Sequence, residues 1–175
     1  MVTAVLPHGV QGPEMESARR VRLVLTDCDG VLTDAGLYYT AAGEELRRFS
    51  VRDGMGFERL RTLACIETAI VTREDSAMVA VRGRKLLTET HLGVHDKLAL
   101  ARQLAAARGL SLDAVAYMGD DLNDLALLQA AGFSACPADA EPEVQRAVRV
   151  VCRRPGGHGA FREMAELILA ALGHG

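Results

Sequence analysis

Asp27, Asp29, Thr72, Lys97, Asp120 and Asp121 are the residues whose types and order could do chemistry together. Asp27 and Asp29 stand two apart, after the apolar run Val21-Arg22-Leu23-Val24-Leu25 and before Gly30. On a strand, residues i and i+2 point to one side. Both carboxylates can therefore face one small volume at the strand's carboxyl end, where open α/β sheets bind ligands. Carboxylates that close repel unless a proton or cation lies between them. Mg2+, a hard cation that takes oxygen ligands, would relieve the repulsion.

Each piece has a plain structural reading. Asp-x-Asp can be a solvated turn, Thr72 a strand-end residue, Lys97 a solvated helix residue, and Gly119-Asp120-Asp121 a helix cap. In order, however, they make a complete set for phosphoryl transfer through an aspartyl phosphate. One carboxylate attacks phosphorus. The other protonates the leaving oxygen and then activates water. The Thr72 hydroxyl and the Lys97 ammonium bind the remaining phosphate oxygens. Mg2+ is expected on Asp27, Asp120 and a backbone carbonyl near Asp29.

These residues need elements that bring them to one edge. Val21–Leu25 reads as a buried strand, Ile66–Val71 as a second ending at Thr72, and Ala114–Met118 as another running into Gly119-Asp120. Lys97 opens a helix expected to reach Gly109, with Leu98, Ala101, Leu104 and Ala105 on one face. Leu37–Thr40 and Glu44–Phe49 flank a turn containing Gly43, which suggests a hairpin over the first strand's end. A helix is expected through Met55–Leu63, another after an N-cap at Ser76, and a short strand near Leu86-Leu87-Thr88. A further strand is expected at Phe133–Cys136, then a helix at Glu141–Ala147, a strand at Val148–Val151 and a last helix from Ala160 to Leu172. Alternating strands and helices imply an α/β fold with a central parallel sheet covered on both faces.

The bulk numbers agree with one soluble domain. The chain has 175 residues, 49% hydrophobic and 25% charged, with a formal net charge of -3. That balance, without a basic run, argues against nucleic acid as a partner. No apolar stretch is long enough to span a membrane. Residues 1–19, which hold Pro7, Gly9, Gly12 and Pro13 and no apolar signal core, read as a flexible tail ahead of a single domain at 20–175. Cys28, Cys65, Cys136 and Cys152 have no zinc spacing and read as buried packing residues of a reducing, cytoplasmic setting. Alternation turns Cys28 away from its flanking aspartates.

Asp27-Cys28-Asp29-Gly30-Val31-Leu32-Thr33-Asp34, Thr72, Lys97 and Gly119-Asp120-Asp121-Leu122-Asn123-Asp124 resemble the motifs of the haloacid dehalogenase superfamily. That resemblance implies a three-layer Rossmann-like sandwich. It makes Asp27 the nucleophile, Asp29 the acid/base, Thr72 and Lys97 phosphate ligands, and Asp120 a metal ligand, with Asp121 and Asp124 supporting the metal. Ser50-Val51-Arg52-Asp53-Gly54 and Arg154-Pro155-Gly156-Gly157-His158-Gly159-Ala160-Phe161-Arg162 narrow it to the uncapped 3-deoxy-manno-octulosonate 8-phosphate phosphatase subfamily. The implied substrate is a phosphorylated sugar acid of lipopolysaccharide biosynthesis. The implied assembly is a homotetramer built on the hairpin, with the Gly-Gly segment closing over the site. The short intervals between the motifs leave no room for an inserted cap domain.

Thr72-Arg73-Glu74 departs from the Thr-Gly-Arg usual in that subfamily and resembles the keto-deoxy-nonulosonate 9-phosphate phosphatases. Arg52 pulls toward the eight-carbon acid and Glu74 toward the nine-carbon acids. Arg154 and Arg162 are candidates for a sugar-acid carboxylate or phosphate, and His158 is a weaker one. His91 and His95 read as loop residues. Two readings of other classes compete. A silent oligomerisation module of a sialic-acid-activating system would have lost one of the aspartates. A phospho-receiver domain would carry its acceptor on a later strand.

Overall fold

The computed structural model describes residues 12–174. In chain order the elements are α1 (Pro13–Arg19), β1 (Leu23–Thr26), β2 (Tyr38–Thr40), β3 (Gly43–Leu46), α2 (Val51–Ala64), β4 (Glu67–Val71), α3 (Ala77–Leu86) and β5 (Glu89–His91). They continue with α4 (Lys97–Ala106), β6 (Val115–Met118), α5 (Leu125–Ala130), β7 (Phe133–Cys136), α6 (Pro142–Ala147), β8 (Val150–Val151) and α7 (Ala160–Ala171).

Six strands form one parallel sheet in the order β5-β4-β1-β6-β7-β8. The chain leaves β1 toward β4 and β5, then returns to place β6 on β1's other side. Such a reversal opens a crevice at the strands' carboxyl ends. β2 and β3 form a separate antiparallel hairpin. The expected α/β architecture is thus observed.

Alternation along the strands divides the core into two layers. Val24, Ile70, Ala116, Met118 and Ala135 face α1, α2, α3 and α7. Leu23, Leu25, Ala69, Val71, Val115 and Tyr117 face α4, α5 and α6. The first layer is locked by Phe57 and Phe161, stacked with ring centroids 4.1 Å apart. Such pairs add about 1 kcal/mol beyond burial.

The structure corrects the sequence reading in several places. Part of the tail expected over residues 1–19 is instead a helix, Pro13–Arg19, with Ser17 and Ala18 buried. Residues 1–11 lie outside the described residues. The strand expected near Leu86-Leu87-Thr88 begins later, because Leu87 ends α3 in the left-handed region at φ 57°. Cys65 is exposed, since it terminates α2 in the same conformation at φ 53°. Cys28, Cys136 and Cys152 are buried.

Candidate active site

β1 stops at Thr26, so strand alternation does not govern the aspartates beyond it. The Cys28 carbonyl accepts N–H groups from Val31, Leu32 and Thr33, at 3.4, 2.8 and 3.1 Å. The chain turns there, and Gly30 takes φ 76°. A side chain at Gly30 would collide with the Asp120 carboxylate, which comes in from the end of β6. Cys28 drops into the core as expected. Asp27 and Asp29 both reach one cavity of about 460 Å³, but they meet different partners.

Asp27 forms part of the floor. Its Oδ1 accepts the Cys28 N–H at 2.7 Å, and its Oδ2 accepts from Lys97 Nζ at 2.8 Å. Lys97 is the first residue of α4, which Asp96 caps by accepting the Ala99 N–H at 2.8 Å. Its ammonium also donates to Asp124 Oδ1 at 2.6 Å. Asp124 is fully buried and its bonds organise the floor. Tyr117 Oη donates to Oδ1 at 2.5 Å, and the N–H groups of Asp120 and Asp121 donate to Oδ2 at 3.0 and 3.3 Å. Asp121 is exposed and also lines the cavity, its carboxylate accepting the Leu122 N–H at 2.6 Å.

Asp27, Asp120 and Asp124 each offer an oxygen within 4.8 Å of the others. Asp120 Oδ1 is buried without a hydrogen-bond partner among the described residues. A buried acceptor left unpaired is costly. Burial, then the charges of Asp27 and Asp124, push the Asp120 carboxyl up to about 8. Burial and Asp124 also raise Asp27, against the pull of Lys97. Burial drags the Lys97 ammonium down, but Asp27 and Asp124 outweigh it and hold it above its ordinary value. Crowded oxygens that favour protons and an orphaned acceptor fit a hard divalent cation.

Asp29 faces the wall. Both its oxygens accept from one nitrogen of Arg47, at 2.8 and 2.7 Å, and Thr33 Oγ1 lies 3.4 Å from Oδ1. Burial raises its carboxyl, with Arg47 opposing. The cation is expected to meet a backbone carbonyl near Asp29 rather than its side chain, and the Asp29 carboxylate lies outside the acidic group that joins Asp27, Asp120 and Asp124. Arg47, just past β3, is the functional residue that the sequence reading missed. Nothing in local spacing marks it, because it reaches Asp29 from 18 residues away.

Thr72 is buried at the end of β4 and lines the cavity, its Oγ1 accepting the Glu74 N–H at 3.1 Å. Glu74 lines the cavity too, with Oε2 3.6 Å from Arg47. Arg73, His95 and Asn123, which carried no expected role, also line the cavity.

The candidate sugar-acid arginines lie elsewhere. Arg52 and Arg154 are exposed and do not line the cavity. Arg162 donates from Nε to Glu166 at 2.5 Å, a carboxylate it shares with Arg59. The expected closing segment also lies to one side. Gly157 N–H donates to the Val31 carbonyl at 2.9 Å, and a side chain at Gly156 would strike the Gly30 carbonyl. Within one chain, Gly156-Gly157 braces the Gly30–Asp34 loop from behind. His158 turns its Nδ1 to the Gly156 carbonyl at 2.7 Å.

Comparison with known proteins places this geometry in context. A family model described as haloacid dehalogenase-like hydrolase matches residues 70–163. The 3-deoxy-D-manno-octulosonate 8-phosphate phosphatase of Haemophilus influenzae is 40% identical over 162 residues, covering 90% of this chain and 88% of that protein. A hypothetical protein from Xanthomonas campestris superposes with a TM-score of 0.92 at 40% identity, covering 95% of this chain and 91% of that one. A 3-deoxy-D-manno-octulosonate 8-phosphate phosphatase from Moraxella catarrhalis, solved with magnesium, phosphate and the sugar acid, superposes at 0.87 with 34% identity and covers 91% of each chain. Family match, identity along most of the chain and a shared fold all agree with the acidic cluster at the sheet's crevice, and the chain belongs to the haloacid dehalogenase-like hydrolases.

Proposed function

We propose that this chain is a Mg2+-dependent phosphatase that hydrolyses 3-deoxy-D-manno-octulosonate 8-phosphate through an aspartyl phosphate on Asp27. The observation that carries the reading is the pairing of Asp27 with Lys97 beside the unpartnered Asp120 oxygen. The names of the Haemophilus and Moraxella relatives support the substrate.

Asp27 attacks phosphorus, and the bond to the ester oxygen breaks. Asp29, as the acid, gives its proton to that oxygen. It then takes a proton from the water that attacks the aspartyl phosphate, which frees phosphate and restores Asp27. Lys97 steadies Asp27 and offers its charge to phosphate oxygens, and the Thr72 hydroxyl binds another. Asp27 and Asp120 would hold the cation, with Asp124 behind them. The ion supplies positive charge that lets a phosphate dianion approach a carboxylate.

A nine-carbon keto-deoxy-nonulosonate or N-acylneuraminate 9-phosphate is the second reading, because Glu74 stands on the cavity rim. Phosphate release from the eight- and nine-carbon acid phosphates, with and without Mg2+, separates the two. A clear preference for the eight-carbon ester supports the first reading, and equal weak rates on both would overturn it.

We also read residues 20–175 as one catalytic domain working in a cytoplasmic homotetramer. Tyr38, Tyr39 and Leu46 on the hairpin and Val51 beside it are exposed apolar groups that a neighbour would cover. Among the described residues no helix is long and apolar enough to cross a membrane. Sedimentation equilibrium tests the assembly, and a stable monomer would refute it.

A further inference from the structure

Arg47 lies in an unusual position for a long cation. It lines the cavity, yet its side chain is only 1% exposed. A guanidinium so enclosed must be paired. One of its terminal nitrogens spans both Asp29 oxygens, and the other lies 3.6 Å from Glu74. Lys97 is directed at Asp27 and Asp124, and no contact between it and Asp29 is seen among the described residues. Apart from Arg47, the hydrogen bond shown for the Asp29 carboxylate is the 3.4 Å contact with Thr33. That is too long to fix an orientation.

We infer that Arg47 is the positioning residue for Asp29, holding its carboxylate out of the Asp27–Asp120–Asp124 cluster and aimed at the leaving oxygen. This rests on the phosphatase reading above. Asp27 and Asp29 are two residues apart in one turn, and a cation on the cluster attracts both. A carboxylate drawn onto that cation no longer reaches the ester oxygen. The guanidinium prevents this by offering Asp29 a competing partner. Lysine is a poorer substitute, since one ammonium cannot present two nitrogens to Asp29 and Glu74 at fixed separation. The hairpin therefore contributes to the site directly, through the residue that follows β3.

The role predicts a dependence on the leaving group. When an alkyl phosphate is cleaved, the P–O electron pair stays on oxygen, and that oxygen takes the Asp29 proton and leaves as a neutral alcohol. A nitrophenolate leaves readily without a proton. The experiment compares kcat and KM for the sugar-acid phosphate and for p-nitrophenyl phosphate, in Mg2+, with the full chain. The proteins are the wild type, Arg47→Gln, Arg47→Lys, Asp29→Asn and the double variant.

Arg47→Gln is expected to lower kcat on the alkyl ester about 100-fold and to raise the aryl-to-alkyl ratio of kcat/KM at least about ten-fold. Arg47→Lys recovers part of that ratio. In the Asp29→Asn background, Arg47→Gln leaves the ratio within about two-fold, because its effect passes through Asp29. Equal losses of kcat/KM on both esters would overturn the inference. So would a ratio change that persists without Asp29, or a rise in KM for the sugar-acid phosphate with kcat unchanged. If Arg47→Gln does not fold, Arg47→Lys carries the ratio test. A wild type inactive on both esters refutes the phosphatase reading itself, and the inference with it.

Discussion

Lys97 and Arg47 each hold one aspartate of the same turn, under different conditions. Lys97 is sealed in the floor between Asp27 and Asp124, with the side chains at most 8% exposed. Arg47 is equally enclosed, but its partners Asp29 and Glu74 open to the cavity, at 29% and 60% exposure. The floor is a fixed charge array whose members are committed to one another. The wall is an arrangement in which one cation is shared by carboxylates that solvent and substrate can also reach. Two aspartates of similar sequence context thus acquire separate duties from the cations that meet them.

The largest test of this contrast is removal of the floor's carboxylate. Asp27→Asn should lower phosphate release at least about a thousand-fold, with the circular dichroism spectrum retained. Turnover close to wild type would end the nucleophile assignment. Lys97→Met comes next. It strands Asp27 and Asp124 without their cation and should cost about 3–5 kcal/mol of stability in urea titration. A smaller loss would mean the floor relaxes more than its burial implies.

Removing the metal probes the floor by pH. The Asp120 carboxyl is raised to about 8 in the folded chain, against about 3.9 when unfolded. The folded form therefore binds this proton more tightly. The stability that it lends is complete below the unfolded value and is lost as pH rises toward 8. With EDTA, Tm should fall between pH 6 and 8.5, and Mg2+ should raise Tm more at pH 8.5 than at pH 6. A metal-induced rise independent of pH would show that Asp120 is not among the cation's ligands. The smallest effect belongs outside both regions. Arg162→Ala loses a contact with Glu166, and KM should move by no more than about two-fold.

The sequence shows the floor better than the wall. Asp27, Thr72, Lys97 and Asp120 each end a strand or begin a helix, so periodicity and turn residues place them at one edge of the sheet. The contact of Arg47 with Asp29 depends on how a hairpin with an irregular register between Tyr38 and Tyr39 folds back. No local pattern encodes that return. Tyr117 is hidden differently: it reads as a strand core residue, which it is, while its hydroxyl also serves Asp124. Arg52, Arg154 and Arg162 enter through resemblance alone, and within one chain they lie away from the cavity.

The brace behind the Gly30–Asp34 loop bears on how the protein is made. Asp53 accepts the N–H groups of Gly159 and Arg162, each at 3.1 Å, tying α2 to the start of α7, while Gly157 bonds to Val31. On a ribosome, Asp27 emerges before the residues that support its loop. β1 also waits for β4 and β6 as its neighbours. The turn that carries both aspartates is therefore unsupported until more than a hundred further residues are made, and catalytic competence should wait until α7 docks.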